Sequence, residues 1–196
     1  MDQNQSLNIR MMVFATLFTV LIIIGGYISF PIPLSPLPIV LSDFFAMLAG
    51  LFLGKKWGSA SVGLFLFLGA LGLPTFAGGK AGLVVLFGPT GGFLLGFLVS
   101  AFVVGLISGK GKPSLLKDFL ALFLGNIFLY SVGVSWLKFI LKLTWREGIA
   151  LGFLPFIPGI IIKVVVSIIL INTMRPHLKQ IIPHSLQGLG GADEHS

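Results

Sequence analysis

The chain has 196 residues and no cysteine, which excludes disulfides, thiol nucleophiles, iron–sulfur clusters and thiolate zinc sites. Charge is scarce: 10% of the residues, against roughly 25% in a soluble domain whose surface water must wet. All three histidines (His177, His184 and His195) fall in the C-terminal tail. No His-ligated metal site or Ser–His pair is therefore expected within the apolar body. No phosphate-binding loop is present either. The nearest stretch, Gly78-Gly79-Lys80-Ala81, has Pro74 where the first glycine belongs and an alanine where a hydroxyl should meet magnesium. Such a chain does not hydrolyse ATP by itself, and it needs no cofactor.

What is abundant is apolar surface. Hydrophobic residues make up 56% of the chain and mean hydropathy is +1.04. Lipid, not water, is the expected solvent. The formal charge of +7 fits basic loops at a membrane surface. It does not fit a nucleic-acid groove, because aromatic and basic residues do not interleave.

Six apolar segments read as transmembrane helices: Met11–Phe30, Ile39–Leu53, Ser59–Leu73, Gly91–Ile107, Leu116–Leu141 and Ile149–Met174. The first, at about 20 residues, is long enough to span a bilayer and leads into a proline-rich turn, so it reads as a retained helix rather than a signal peptide. The fold class is an all-α integral membrane protein. Residues 1–10 form a cytoplasmic lead, 11–174 the membrane domain, and 175–196 a loose polar tail. Arg10, Lys55, Lys56, Lys110, Lys112, Lys117, Arg175 and Lys179 fall on one side; Lys80, Lys138, Lys142 and Arg146 fall on the other. The richer side is cytoplasmic by the positive-inside rule, which puts both termini inside. The Pro-rich connection 31–38 and the Gly-rich connection 74–90 then face outward together. Small residues at four-residue spacing (Gly50 with Gly54; Gly88, Gly92 and Gly96) suit close helix packing.

The informative polar groups are few. Lys163 sits deep in the last helix, where a charge costs at least about 2.5 kcal/mol unless it meets a partner or a cavity. It either lines a site, pairs structurally or snorkels outward. Asp43 heads the second helix, as a helix cap or as a site acid. Asn126 and Tyr130, four apart, share a helix face and suit either ligand contact or interhelical bonding. The loop around Gly78, Gly79 and Lys80 and the turn at Pro89 and Thr90 are glycine-dense, as in a lid whose backbone approaches a small molecule.

Several stretches carry a family resemblance, from about Gly25 to Val166. They are Gly26-Tyr27-Ile28-Ser29-Phe30-Pro31-Ile32-Pro33 with Ser35-Pro36, then Leu48-Ala49-Gly50, then Gly69-Ala70-Leu71-Gly72-Leu73-Pro74 followed by Phe76-Ala77-Gly78-Gly79. The most specific is Gly88-Pro89-Thr90-Gly91-Gly92-Phe93-Leu94-Leu95-Gly96-Phe97. Tyr130, Gly133, Trp136-Leu137, Leu154-Pro155-Phe156 and Pro158-Gly159 before Lys163 complete the set. In order and spacing these resemble the BioY family, biotin-binding S components of energy-coupling factor (ECF) transporters.

The resemblance implies a six-helix S-component bundle in a bacterial cell membrane, with a loop-covered pocket near the outer side. It also implies a transmembrane coupling subunit and two ATPase subunits as partners, contacted through small residues of helix 1, here Ala15, Thr16 and Thr19. Together with the polar groups and glycine-dense loops above, the candidate substrate-binding set is Asp43, Gly78, Gly79, Lys80, Pro89, Thr90, Asn126, Tyr130, Ile160 and Lys163. The chain departs from the family pattern at polar positions. Ile160 stands where an acid usually follows Pro-Gly, Ser42 replaces a glutamine, Asp43 a threonine, and Lys80 a small polar residue. Loss of the acid at Ile160 opens the alternative of a biotin-like acid with a less polar head, such as lipoate, unless Asp43 supplies the acid from helix 2. A ligand-free assembly protein and an intramembrane enzyme are the remaining classes; the enzyme would need paired acids or a metal cluster in the bundle.

Overall fold

A computed structural model of the protein describes residues 3–33, 35–109 and 114–181. Lys110, Lys112 and the tail beyond Ile181, with His184 and His195, lie outside the described residues. The helices are α1 (Gln3–Tyr27), α2 (Ser42–Ala70), α3 (Leu83–Phe87), α4 (Gly91–Ser108), α5 (Leu115–Leu141), α6 (Trp145–Gly152) and α7 (Ile157–Ile181). The only sheet among the described residues is a two-stranded antiparallel clip, β1 (Ser29–Phe30) with β2 (Ile39–Val40), pairing Ser29 with Val40 and Phe30 with Ile39.

α2 is two membrane segments, not one. Gly54 breaks it with φ 74° and ψ 179°, a left-handed backbone that glycine adopts without a Cβ clash. The chain doubles back there, because a Cβ built on Gly58 would lie 2.6 Å from the Cα of Gly50. In a straight helix those residues stand about 12 Å apart. The arms, 42–53 and 55–70, are the expected second and third helices. Among the described residues, five helices are long and apolar enough to cross a membrane. With α2 doubled, they supply the six predicted segments.

Three helix boundaries differ from expectation. Ile39–Val40 pairs with β1 instead of opening a helix. The last apolar segment is interrupted at Phe153 (φ −133°, ψ −53°) and passes through a 3-10 turn, Leu154–Phe156, before α7. Pro155 and Pro158 explain the break, since each lacks the amide hydrogen an interior helix position must donate. α7 also continues to Ile181, so the expected loose tail is helical for its first residues.

Glycine brings the helices close. Gly50 packs on the backbone of Ala101, Gly92 on Trp136, Gly96 on Leu129, and Gly133 on Phe93. These contacts set α4 antiparallel to α5 and against the first arm of α2. α1 packs on the second arm, where the Thr19 hydroxyl donates to Ser61 O at 2.9 Å. Ala15 and Thr19, expected to meet a partner, are buried inside the protein, whereas Thr16 is exposed. The two irregular connections meet at one end of the bundle. There Tyr27 Oη donates to Pro74 O (2.6 Å), Ser35 Oγ to Leu151 O (2.7 Å) and Trp136 Nε1 to Gly88 O (2.9 Å).

This packing predicts that Gly50→Val, which drives a branched side chain into the Ala101 carbonyl, destabilises the detergent-purified protein by about 1–3 kcal/mol. Gly63, which has open space around its Cβ position, should accept alanine with equal or higher stability. Thermal unfolding of the two variants checks the pair.

Candidate functional site

Beneath the joined loops lies a narrow chamber with a cavity volume of about 70 Å³. Its floor and walls are aromatic: Phe65, Phe93, Phe97, Tyr130 and Phe156 all line it. Tyr130 holds the walls together through edge or tilted contacts with Phe93 (6.0 Å), Phe153 (5.2 Å) and Phe156 (6.0 Å). The roof is loop: Leu37, Pro38 and Val40 from the first connection, Ala77 and Thr90 from the second.

One ion pair sits in this apolar space. Lys163 Nζ lies 2.7 Å and 2.8 Å from the two carboxylate oxygens of Asp43, and 2.8 Å from Val40 O. An ammonium has three hydrogens to give, and all three are placed. The side chains are 11% and 6% exposed, so neither charge is solvated by bulk water. Asp43 is not a helix cap. The cap position of α2 is Leu41, with no side-chain bond, and Asp43 turns instead toward α7. A dry lysine is tolerable only because this acid, 120 residues away in sequence, neutralises it.

The structure separates the other predicted residues. Asp43, Thr90, Tyr130 and Lys163 meet in the chamber. Gly78, Gly79, Lys80 and Pro89 do not line it; Lys80 is exposed, and of that loop only Ala77 reaches in. Gly78 and Gly79 serve the turn itself, at φ 66° and 76°. Ile160 and Asn126 line a second cavity, on the side of α5 that faces α7. Asn126 Nδ2 bonds Leu122 O (2.9 Å) and Met47 Sδ (3.4 Å), a packing role. Unanticipated lining residues include the phenylalanines of the walls, Phe65, Phe93, Phe97 and Phe156. Phe93 and Phe97, four apart on α4, carried the spacing signal of a shared face. Among the described residues no group of three or more metal-ligating side chains converges.

The chain matches the BioY family over residues 1–180. The chain belongs to the BioY family. Similar BioY proteins include the biotin transporter BioY of Thermotoga maritima, 43% identical over 158 residues that cover 81% of this chain and 91% of that protein. The biotin transporter BioY of Lactococcus lactis subsp. cremoris is 33% identical, covering 89% of this chain and 94% of its own. Among solved structures, the crystal structure of the S-component for biotin from an ECF-type ABC transporter superposes with a TM-score of 0.81. It is 32% identical and covers 90% of this chain and 95% of that one. This BioY-family chain is thus a multi-pass membrane protein with the S-component fold, related to transporters and not to enzymes.

Lys163→Met should leave the Asp43 carboxylate buried without a partner and cost about 3–5 kcal/mol. The double variant Lys163→Met/Asp43→Leu removes both charges and should recover most of that loss. Thermal unfolding in detergent measures the difference.

Proposed function

We propose that the chain is the biotin-binding S component of an ECF-type transporter, taking biotin from outside and delivering it inward with a transmembrane coupling subunit and two ATPase subunits. The observation that carries this reading is the enclosed Lys163–Asp43 pair in an aromatic chamber. With no phosphate-binding loop of its own, the chain depends on partners for ATP hydrolysis. Both termini are placed in the cytoplasm on the count of eight cations against four, which puts the loop-covered chamber near the outer face.

The pair also favours one end of the ligand. Biotin carries a ureido ring, with two N–H donors and one carbonyl, and a valerate carboxylate. Asp43 spends one lone pair of each oxygen on Lys163 and retains others that accept N–H donors. The Tyr130 hydroxyl donates to no group among the described residues and is free to meet the ureido carbonyl. The ureido ring thus docks on Asp43 and Tyr130 without breaking the ion pair, and the valerate chain runs along the phenyl walls. An acid with an apolar dithiolane head, such as lipoate, offers Asp43 no donor, and its carboxylate would have to displace Asp43 from Lys163. The relatives named above are biotin transporters, and no comparison favours lipoate. On this reading Asp43 of helix 2, which lines the chamber, supplies the acid that is absent at Ile160.

Equilibrium binding to the purified protein tests this. Biotin should bind, and about 10- to 100-fold more tightly than lipoate, the penalty for one or two unsatisfied buried groups. Tyr130→Phe should weaken biotin about tenfold by the same reasoning. Equal or tighter binding of lipoate would overturn the assignment; binding of neither would return the chain to a ligand-free class.

A further inference from the structure

Outside the chamber, on the far side of Tyr130, a second and more open cavity of about 500 Å³ runs between α5 and the α6–α7 segment. Its walls are apolar, with Phe123, Ile127 and Val134 from α5 facing Ile149, Ile157 and Ile161. Two hydroxyls interrupt them, Ser131 and Ser135, one turn apart on α5. Neither makes a hydrogen bond among the described residues. At the upper end stands Trp145, 58% exposed, with Lys138 Nζ 5.0 Å from its ring.

Three cations crowd that end: Lys138, Lys142 and Arg146. Lys142 closes α5 in a left-handed conformation (φ 53°), and Lys142 and Arg146 are both exposed. None of the three forms an ion pair among the described residues. The neighbouring acid, Glu147, is already engaged: it accepts from Thr144 N and Thr144 Oγ1, each at 2.8 Å, in a capping box that starts α6. These cations also form most of the minority group opposite the basic majority, where the positive-inside rule disfavours them. Their unpaired charge there asks for an anion.

Read along α5 from depth to surface, the cavity presents apolar walls, then two hydroxyls, then a tryptophan, then cations. An anionic phospholipid presents an acyl chain, ester carbonyls, a glycerol and a phosphate in the same order. From Phe123 to Ser135 is about 18 Å of helix, comparable with half the hydrocarbon core, about 15 Å. We propose that this groove is a binding site for one anionic phospholipid. Its acyl chain lies between α5 and α7, its ester carbonyls accept from Ser131 and Ser135, and its phosphate is held by Lys138, Lys142 and Arg146. The lipid packs the outer side of Tyr130, the wall it shares with the chamber.

The test uses full-length protein in mixed micelles and reads quenching of Trp145 by brominated acyl chains, isolated by subtracting the Trp145→Phe variant. Brominated phosphatidylglycerol should reach half-maximal quenching at about a tenfold lower mole fraction than brominated phosphatidylcholine, as a cluster of surface cations implies. The Lys138→Gln/Lys142→Asn/Arg146→Gln variant should lose that preference while still binding biotin, because none of the three lines the chamber. Lys142→Asn alone, milder because asparagine tolerates a left-handed backbone, should lose part of it. Lys55→Gln/Lys56→Gln, at the other end of the bundle, should keep it. Equal quenching by both lipids in the unaltered protein would mean annular lipid only and overturn the site. A preference that survives the triple change, or that vanishes with Lys55 and Lys56, would overturn it as well.

Discussion

A single buried ion pair holds the functional end of this protein in register. α7 has few other polar ties to the bundle, and Lys163 joins it both to Asp43 at the head of α2 and to the carbonyl of Val40 in the β clip. The same ammonium therefore fixes a helix, a second helix and a loop around one chamber. In a low-dielectric interior neither charge is stable without the other. Whatever sits in the chamber must respect that pairing or exchange with it. The aromatic walls supply area and shape, and the pair supplies direction.

The backbone architecture serves that arrangement. The hairpin at Gly54 returns the chain to the loop end within 29 residues of Ser42, so Asp43 and Phe65 face the chamber from adjacent arms. The break between α6 and α7 has a complementary effect. By interrupting the helix at Phe153 and Pro155, it inserts Phe156 beside Tyr130 and starts a fresh helix that carries Lys163 inward. Three side-chain hydrogen bonds, from Tyr27, Ser35 and Trp136, hold the loops over the opening without using any residue of the ion pair.

Much of this was legible in the amino-acid sequence. Apolar run lengths and the proline and glycine clusters mark six segments and the two connections that meet at one end. The depth of Lys163 marks it as a residue needing a partner. The identity of that partner was open, because spacing assigns residues to a helix face and cannot say which distant helix that face meets. Asp43 was therefore equally readable as a cap. The side on which Asn126, Tyr130 and Ile160 work was obscured for a related reason. In a membrane helix both the protein-facing and the lipid-facing sides are apolar, so no amphipathic period separates them. Only the structure shows that Tyr130 lines both the chamber and the outer groove, whereas Ile160 and Asn126 line the groove and not the chamber. Lys80 misled because loop cations look alike in sequence whether they point in or out.

The ureido-on-Asp43 arrangement is the claim on which the chamber's chemistry rests, and solid-state NMR addresses it without mutating any residue. With biotin labelled by ¹⁵N in its ureido ring and protein labelled by ¹³C in its aspartate carboxylates, dipolar recoupling should place a ureido nitrogen within hydrogen-bonding reach of Asp43, an N···O separation of about 2.9 Å. A ureido ring with no aspartate coupling, together with the biotin carboxylate seated on the Lys163 ammonium, would contradict the account.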